Sequence, residues 1–150
     1  MAVSNLNYGV SSDLGPMTSR FEGSTEESMS RILIIDDEPQ IANMLRSLFD
    51  SNGFEVDVAH DGNAGLRAFR TTPADVVITD ILMPEKEGLE TIAELREDYP
   101  DVKIIAMSGG TMAGVEGYLK LAEMRGAGRV FKKPFKLTDI LQAVNDLIDS

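Results

Sequence analysis

Apolar residues recur along this chain in two spacings that alternate from residue 31 to the C-terminus. Short, nearly continuous apolar runs are typical of buried strands, and apolar positions three or four residues apart are typical of helices. The predicted strands are residues 31–35, 54–59, 74–79, 102–107 and 129–132. The predicted helices are a segment from Pro39 to the stop signal at Gly53, then residues 61–70, 87–97, 115–124 and 137–148.

The first predicted helix has one clear apolar stripe, which we expect to face the core. Its members are Ile41, Met44, Leu45, Leu48 and Phe49. Pro39 suits the first turn of this helix, and Gly53 suits the position just after its end. The first strand is apolar at successive positions, so it is predicted to be buried on both faces, as a parallel sheet requires.

Five strands that alternate with five helices predict an α/β fold with helices on both faces of a parallel sheet. Since crossovers between parallel strands are right-handed, few topologies remain. The simplest is a doubly wound, five-stranded sheet of order 2-1-3-4-5, in which ligands bind at the carboxyl ends of the strands.

Residues 1–29 are rich in Ser, Gly, Asn and Glu, and their apolar positions follow neither period. Such a segment buries too little surface to offset its ordering entropy, so we expect a disordered leader. A docking tail for a partner is the alternative, and Met17 or Met29 could be the true start. One folded domain, residues 30–150, is then expected to act as a stand-alone unit.

Composition narrows the possible functions of this domain. The chain has no cysteine, which excludes disulfides, thiolate metal sites and thiol nucleophiles. Its net charge of −11 disfavours direct nucleic-acid binding. The apolar runs are too short to cross a membrane, and no secretory signal is evident at the start. We therefore expect a cytoplasmic protein.

Acidic residues follow two strands that are neighbours in the predicted sheet. Asp36 and Asp37 come directly after the first strand, and Asp80 comes directly after the third. Three carboxylates at one edge repel each other unless a cation lies between them, and oxygen ligands suit Mg²⁺. The alternative is that these acids merely cap loops and helices, as Asp37 or Glu38 could do before Pro39.

A hydroxyl and an ammonium are predicted to reach the same edge. Ser108 follows the fourth strand, and Lys133 follows the fifth. A cation and a lysine neutralise charge on transferred phosphoryl oxygens, a serine hydroxyl can bond one of them, and a carboxylate can be the phosphoryl acceptor. The five side chains therefore predict a phosphoryl-transfer site with Asp80 as the acceptor.

On these residues, the chain resembles the receiver domains of bacterial two-component response regulators, which are CheY-like. The matching pieces are IIDDEP at 34–39, VVITDILMPEKEG at 76–88, IIAMSG at 104–109 and VFKKPF at 130–135. The resemblance implies that Asp80 accepts a phosphoryl group from a sensor histidine kinase or a histidine phosphotransfer protein. It also implies a signalling role rather than an enzyme's, although the domain assists its own phosphorylation and slow autodephosphorylation.

The resemblance implies a role for each site residue. Asp37 and Asp80 would bind Mg²⁺ directly, Asp36 would bind it through water, and the backbone carbonyl of Leu82 would be a further ligand. Ser108 and Lys133 would contact the phosphoryl oxygens. The peptide bond between Lys133 and Pro134 is expected to be cis.

Some positions depart from the family pattern. Val130 occupies the position of the usual switch aromatic, so the usual aromatic rotamer change cannot operate there. Phe131 should point to the opposite face. Leu82 and Gly110 lack polar groups that could orient water, which predicts a long-lived phosphoryl group.

The resemblance also suggests how the signal leaves the domain. Ser108 would move toward the phosphoryl group and alter the face formed by the fourth helix, fifth strand and fifth helix. A downstream effector protein is expected to bind this face, and the protein would be a monomer or a phosphorylation-dependent dimer.

Three other readings stay open at this point. An FMN carrier of the flavodoxin type would share the fold, but Asp36, Asp37 and Glu38 would repel its phosphate. A haloacid-dehalogenase-type phosphatase would need a second acid where Leu82 stands. A receiver-like binding module would never take phosphate. His60, the single histidine, is expected to be a solvated loop residue away from the site.

Overall fold

The computed structural model describes residues 29–82, 88–109 and 115–150. The strands are β1 (Arg31–Ile35), β2 (Glu55–Ala59), β3 (Val76–Asp80), β4 (Lys103–Ser108) and β5 (Arg129–Lys132). The helices are α1 (Pro39–Ser51), α2 (Gly62–Thr71), α3 (Gly88–Asp98), α4 (Val115–Met124) and α5 (Leu137–Asp149). Every predicted element is present, and no bound differs from its prediction by more than two residues.

All strand pairs are parallel, and the strands lie in the order β2-β1-β3-β4-β5. The predicted fold class and strand order are therefore confirmed. Ile35 at the end of β1 pairs with Thr79 of β3, and Asp80 pairs with Met107 of β4. This register brings the ends of β1, β3 and β4 level with one another, so residues that follow them share one edge of the sheet.

The sheet separates two apolar cores. Leu33, Ile35 and Val77 point to the side covered by α2, α3 and α4. Ile32, Ile34 and Ile78 point to the side covered by α1 and α5. The central strands are thus buried on both faces, which explains their almost continuous apolar sequence.

The α1 helix follows its predicted pattern with one exception. Leu45 and Phe49 are buried, but Met44 is 37% exposed, so its predicted core position is wrong. Met44 lies at the margin of the apolar stripe, where the helix surface turns toward solvent. Gly53 follows the helix with φ of +89°, a conformation that L side chains rarely adopt, and this confirms it as the stop signal.

Residues 1–28 lie outside the described residues. They make up nearly all of the leader, residues 1–29, so its disorder stays a prediction. Within the described parts of the chain, no helix combines the length and the apolar character needed to cross a membrane.

Candidate functional site

Two buried carboxylates lie at the carboxyl edge of the sheet. Asp36 directly follows β1, and its backbone N–H donates to the carbonyl oxygen of Ala59 at 3.0 Å, which continues the ladder with β2. Asp80 is the last residue of β3. Both residues are buried. Because β1 and β3 are neighbours, the two carboxylates face the same crevice.

The Lys133 ammonium lies among three carboxylates. Its Nζ donates to Asp36 Oδ2 at 3.0 Å, to Glu38 Oε1 at 2.8 Å and to Asp80 Oδ2 at 3.3 Å. The Lys133 side chain is only 10% exposed, so these bonds satisfy a largely buried cation. The arrangement joins residues that are 97 and 53 positions apart in the chain.

Backbone N–H groups near Asp80 hold its carboxylate and the start of α3 in place. Its Oδ1 accepts a hydrogen bond from the Leu82 N–H at 3.2 Å. The first residue of α3, Gly88, donates its N–H to the Ile81 carbonyl oxygen at 3.2 Å. A Cβ on Gly88 would lie 2.1 Å from the Asp80 carbonyl oxygen, so only glycine allows α3 to begin this close to the site.

Ser108 ends β4 beside this crevice. Its residue is fully buried, and its Oγ has no hydrogen-bond partner among the described residues. A buried hydroxyl without a partner is uncommon and costs free energy, so it indicates a site for a ligand oxygen. The Ser108 carbonyl accepts from the Lys133 N–H at 2.8 Å, which ties the two residues to one edge.

The backbone next to Lys133 also has special features. The Lys133–Pro134 peptide bond is cis, the isomer that the resemblance implies. The aliphatic stem of Lys133 passes over Gly109, where an added Cβ would lie 3.1 Å from Lys133 Cδ. Gly109 therefore leaves room for the lysine to reach the carboxylates.

Burial and neighbouring groups of opposite charge shift the pKa values of the site residues in opposite directions. Burial raises the pKa of Asp80 to about 6, although the Lys133 ammonium partly opposes this shift. Burial likewise raises the pKa of Asp36, against the Glu38 N–H and Lys133. Burial alone would lower the pKa of Lys133, but Glu38, Asp80 and Asp36 outweigh it and raise that pKa. The site therefore holds a firmly charged lysine and a carboxyl whose ionisation is costly.

The donor atoms suit a hard divalent cation. One carboxylate oxygen from each of Asp36, Glu38 and Asp80 lies within 4.8 Å of the other two. An all-oxygen set of this size is the kind that Mg²⁺ or Ca²⁺ takes in proteins, and a divalent cation would add to the relief of repulsion that the Lys133 ammonium already gives these acids.

Two predicted metal ligands are not in this group. Asp37 is half-buried and lies outside the three-residue set, so its direct role stays a prediction. Leu82 is half-buried beside Asp80, and the role of its carbonyl also stays a prediction. Sequence reasoning missed Glu38, which was considered only as a helix cap. It is the N-cap of α1, but its side chain makes no capping bond and bonds Lys133 instead.

The remaining predicted residues lie at the edges of the site. Val130 is half-buried against the core on the α2–α3–α4 side, and Phe131 packs on the opposite core, as predicted. Gly110 lies outside the described residues. His60 is exposed but is closer than predicted, because its Nδ1 lies 3.3 Å from the Asp36 carbonyl oxygen. The end of β2 is on the same edge as the end of β1, which explains this contact.

Comparison with known proteins shows which sequences are similar to this chain. A sequence model described as the response regulator receiver domain matches residues 32–145. The transcriptional regulatory protein CpxR of Klebsiella pneumoniae is 31% identical over 120 residues, which make up 80% of this chain and 50% of that protein. TrcR of Mycobacterium tuberculosis is 30% identical over 120 residues, which make up 79% of this chain and 45% of that protein. The chain thus spans about half the length of these curated relatives.

Two solved structures have folds similar to that of this chain. A response regulator receiver domain protein from Clostridium thermocellum has a TM-score of 0.74 and 32% identity, covering 81% of this chain and 95% of that one. The response regulator protein TrrA from Thermotoga maritima, in complex with Mg²⁺-BeF, has a TM-score of 0.70 and 33% identity. That comparison covers 79% of this chain and 99% of the other.

Proposed function

Because the chain belongs to the response regulator receiver domain family, we propose that it accepts a phosphoryl group on Asp80 in a Mg²⁺-dependent reaction. The donor would be a phosphohistidine of a sensor histidine kinase or of a histidine phosphotransfer protein. An Asp80 carboxylate oxygen attacks the phosphorus, the P–N bond of the donor breaks, and an acyl phosphate forms. The observation that carries this proposal is the contact of the Lys133 ammonium with both Asp36 and Asp80 at one sheet edge.

The metal would be held by acidic residues at the ends of β1 and β3. Asp36 and Asp80 are close enough to share an ion, and Glu38 offers a third oxygen. Asp37 and the Leu82 carbonyl are the ligands that the family resemblance adds. When bound, Mg²⁺ would neutralise charge on the transferred oxygens and favour the ionised form of Asp80. TrrA, with its bound Mg²⁺-BeF, supports this choice of metal.

Ser108 and Lys133 would hold the phosphoryl oxygens. Lys133 already bonds Asp80 Oδ2, so a phosphoryl group on that carboxylate would lie within reach of the ammonium. The Ser108 hydroxyl, which lacks a partner among the described residues, would donate to another oxygen. Phosphorylation adds about −1.5 to −2 charges here, which a lysine and a hydroxyl are suited to bind.

The signal would leave through the face formed by α4, β5 and α5. The α4 helix exposes Leu121 and Met124, and an exposed apolar pair of this kind is suited to a protein partner. Lys132 of β5 pairs with Glu116 of α4 at 3.2 Å, so the two elements are linked across this face. Movement of Ser108 toward the phosphoryl group would pull on the segment between β4 and α4. Action as a single-domain regulator stays a prediction, since the matched region makes up only 45% and 50% of the curated relatives.

Acetyl phosphate and Mg²⁺ provide a direct test, with the intact mass of the protein as the readout. We expect the wild type to gain the mass of one phosphoryl group, and Asp80→Asn to gain none. Asp101→Asn is the matched control, because Asp101 is an exposed loop carboxylate, and it should label like the wild type. A wild type that never gains this mass would favour a receiver-like binding module. Hydrolysis of a generic phosphate ester would favour a phosphatase.

A further inference from the structure

The three acids around Lys133 differ in their access to water. The side chain of Glu38 is 59% exposed, whereas those of Asp36 and Asp80 are 0% and 6% exposed. Even so, Glu38 makes the shortest of the three contacts, at 2.8 Å. A mostly solvated carboxylate therefore holds one N–H of a mostly buried lysine.

Lys133 has three N–H groups, and three carboxylates already accept from them. A phosphoryl group on Asp80 would bring new acceptor oxygens. One of them can take the N–H that Asp80 Oδ2 now accepts at 3.3 Å, but a second requires the release of Asp36 or Glu38. Release of Asp36 would leave a buried charge without its cation, which is costly. Release of Glu38 costs much less, since water can solvate its exposed carboxylate.

Besides its contact with Lys133 and the oxygen that it offers to a metal, the Glu38 side chain makes no hydrogen bond among the described residues, and saturating Mg²⁺ controls for the metal. It makes no capping hydrogen bond to α1, although Glu38 is the N-cap residue. The bond to Asp36 Oδ1 at 2.9 Å comes from the backbone N–H of Glu38, so any side chain at this position keeps it. Glu38→Ala therefore removes the contact to Lys133 and leaves the local backbone bonding in place.

We propose that Glu38 is a positioning residue that tethers Lys133 in the unphosphorylated protein and competes with the phosphoryl group for its ammonium. This inference rests on the proposed function, because the competitor is a phosphoryl group on Asp80. Removal of the Glu38 carboxylate should favour the state in which Lys133 binds the phosphoryl oxygens.

Beryllium fluoride, a tetrahedral phosphoryl analogue, tests this competition without a phosphorylation rate. Its dissociation constant is measured by calorimetry for each variant at a Mg²⁺ concentration that saturates that variant. Glu38→Ala should bind the analogue about two- to fivefold more tightly than the wild type, as expected for loss of a partly exposed ion pair. Glu38→Gln should show a smaller gain, since its amide oxygen can still accept from Lys133. Glu97→Gln, an exposed glutamate on α3, is the control for net charge and should show no change.

The decisive comparison is made in a Lys133→Ala background. There, Glu38→Ala should not change the dissociation constant for beryllium fluoride. If this background binds no analogue, the Lys133 Nζ signal of ¹⁵N-lysine-labelled protein decides instead. Glu38→Ala should shift that signal in the free protein, and the two proteins should coincide once the analogue is bound.

The tether is overturned if Glu38→Ala binds the analogue no more tightly than the wild type, or gains equally without Lys133. It is also overturned if the Nζ signals still differ in the bound state. Failure of the wild type to bind beryllium fluoride or to accept phosphate would instead overturn the proposed function, and the tether with it.

Discussion

Asp80 combines a negative charge with almost complete burial, and this conflict defines the site at the scale of single residues. Burial raises its pKa to about 6 from an ordinary value of 3.8, even with Lys133 at 3.3 Å. A nucleophile whose ionisation is costly is suited to partnership with a cation, which would restore its charge. Without a metal, the ionised carboxylate of Asp80 is therefore expected to lower the free energy of unfolding of the protein.

The raised pKa has a testable effect on stability. The folded protein holds the Asp80 proton more tightly than the unfolded chain, so this residue favours folding at low pH, and that benefit is lost as the pH rises through about 6. Asp80→Asn carries no such charge. With a chelator present, the variant should be about 1–3 kcal/mol more stable than the wild type at about pH 7.5, and the difference should disappear near pH 4.

Urea denaturation across this pH range measures the difference. Asp101→Asn, which changes an exposed carboxylate, should show no such dependence. A wild type as stable as Asp80→Asn at neutral pH would show that Lys133 compensates the buried charge completely.

At the scale of elements, the start of α3 sets how closely the helix approaches the acceptor strand. A Cβ on Gly88 would lie 2.1 Å from the Asp80 carbonyl oxygen and 2.5 Å from Ile81 Cα, and both are backbone atoms. Neither can rotate away as a side chain can. A larger residue at this position would therefore displace α3 or the end of β3, and with it the carboxylate of Asp80.

Gly88→Ala should accordingly lower the free energy of unfolding by about 1–3 kcal/mol, the usual cost of overpacking. Gly117→Ala in α4 is the matched control, because a Cβ there meets nothing within 4 Å. It should instead stabilise the protein, by up to about 1 kcal/mol from helix propensity. Equal effects of the two substitutions in urea denaturation would contradict the close approach at Gly88.

At the scale of the whole molecule, the sequence predicts the fold well because burial on both faces of the sheet dictates it. The apolar runs of β1 and β3 predict a parallel sheet that is covered on both faces. The crossovers of this sheet bring Asp36, Asp80 and Lys133 together. These long-range neighbours follow from topology alone.

The finer features of the site depend on side-chain directions that no period encodes. Glu38 and Asp37 are adjacent in the sequence, yet only Glu38 joins the carboxylate group, since that depends on the turn between β1 and α1. Met44 fits the apolar stripe by spacing but lies at its solvent margin. The position of His60 could have been predicted, because the ends of β1 and β2 share an edge.

Identification of the phosphorylated residue tests the central claim most directly. Borohydride reduces an aspartyl phosphate to homoserine with release of phosphate, so peptide mass spectrometry after treatment with acetyl phosphate and Mg²⁺ locates the acceptor. Homoserine at position 80 and at no other aspartate is the expected result. Phosphate on His60 or on a serine, or homoserine at position 36 or 37, would contradict the account.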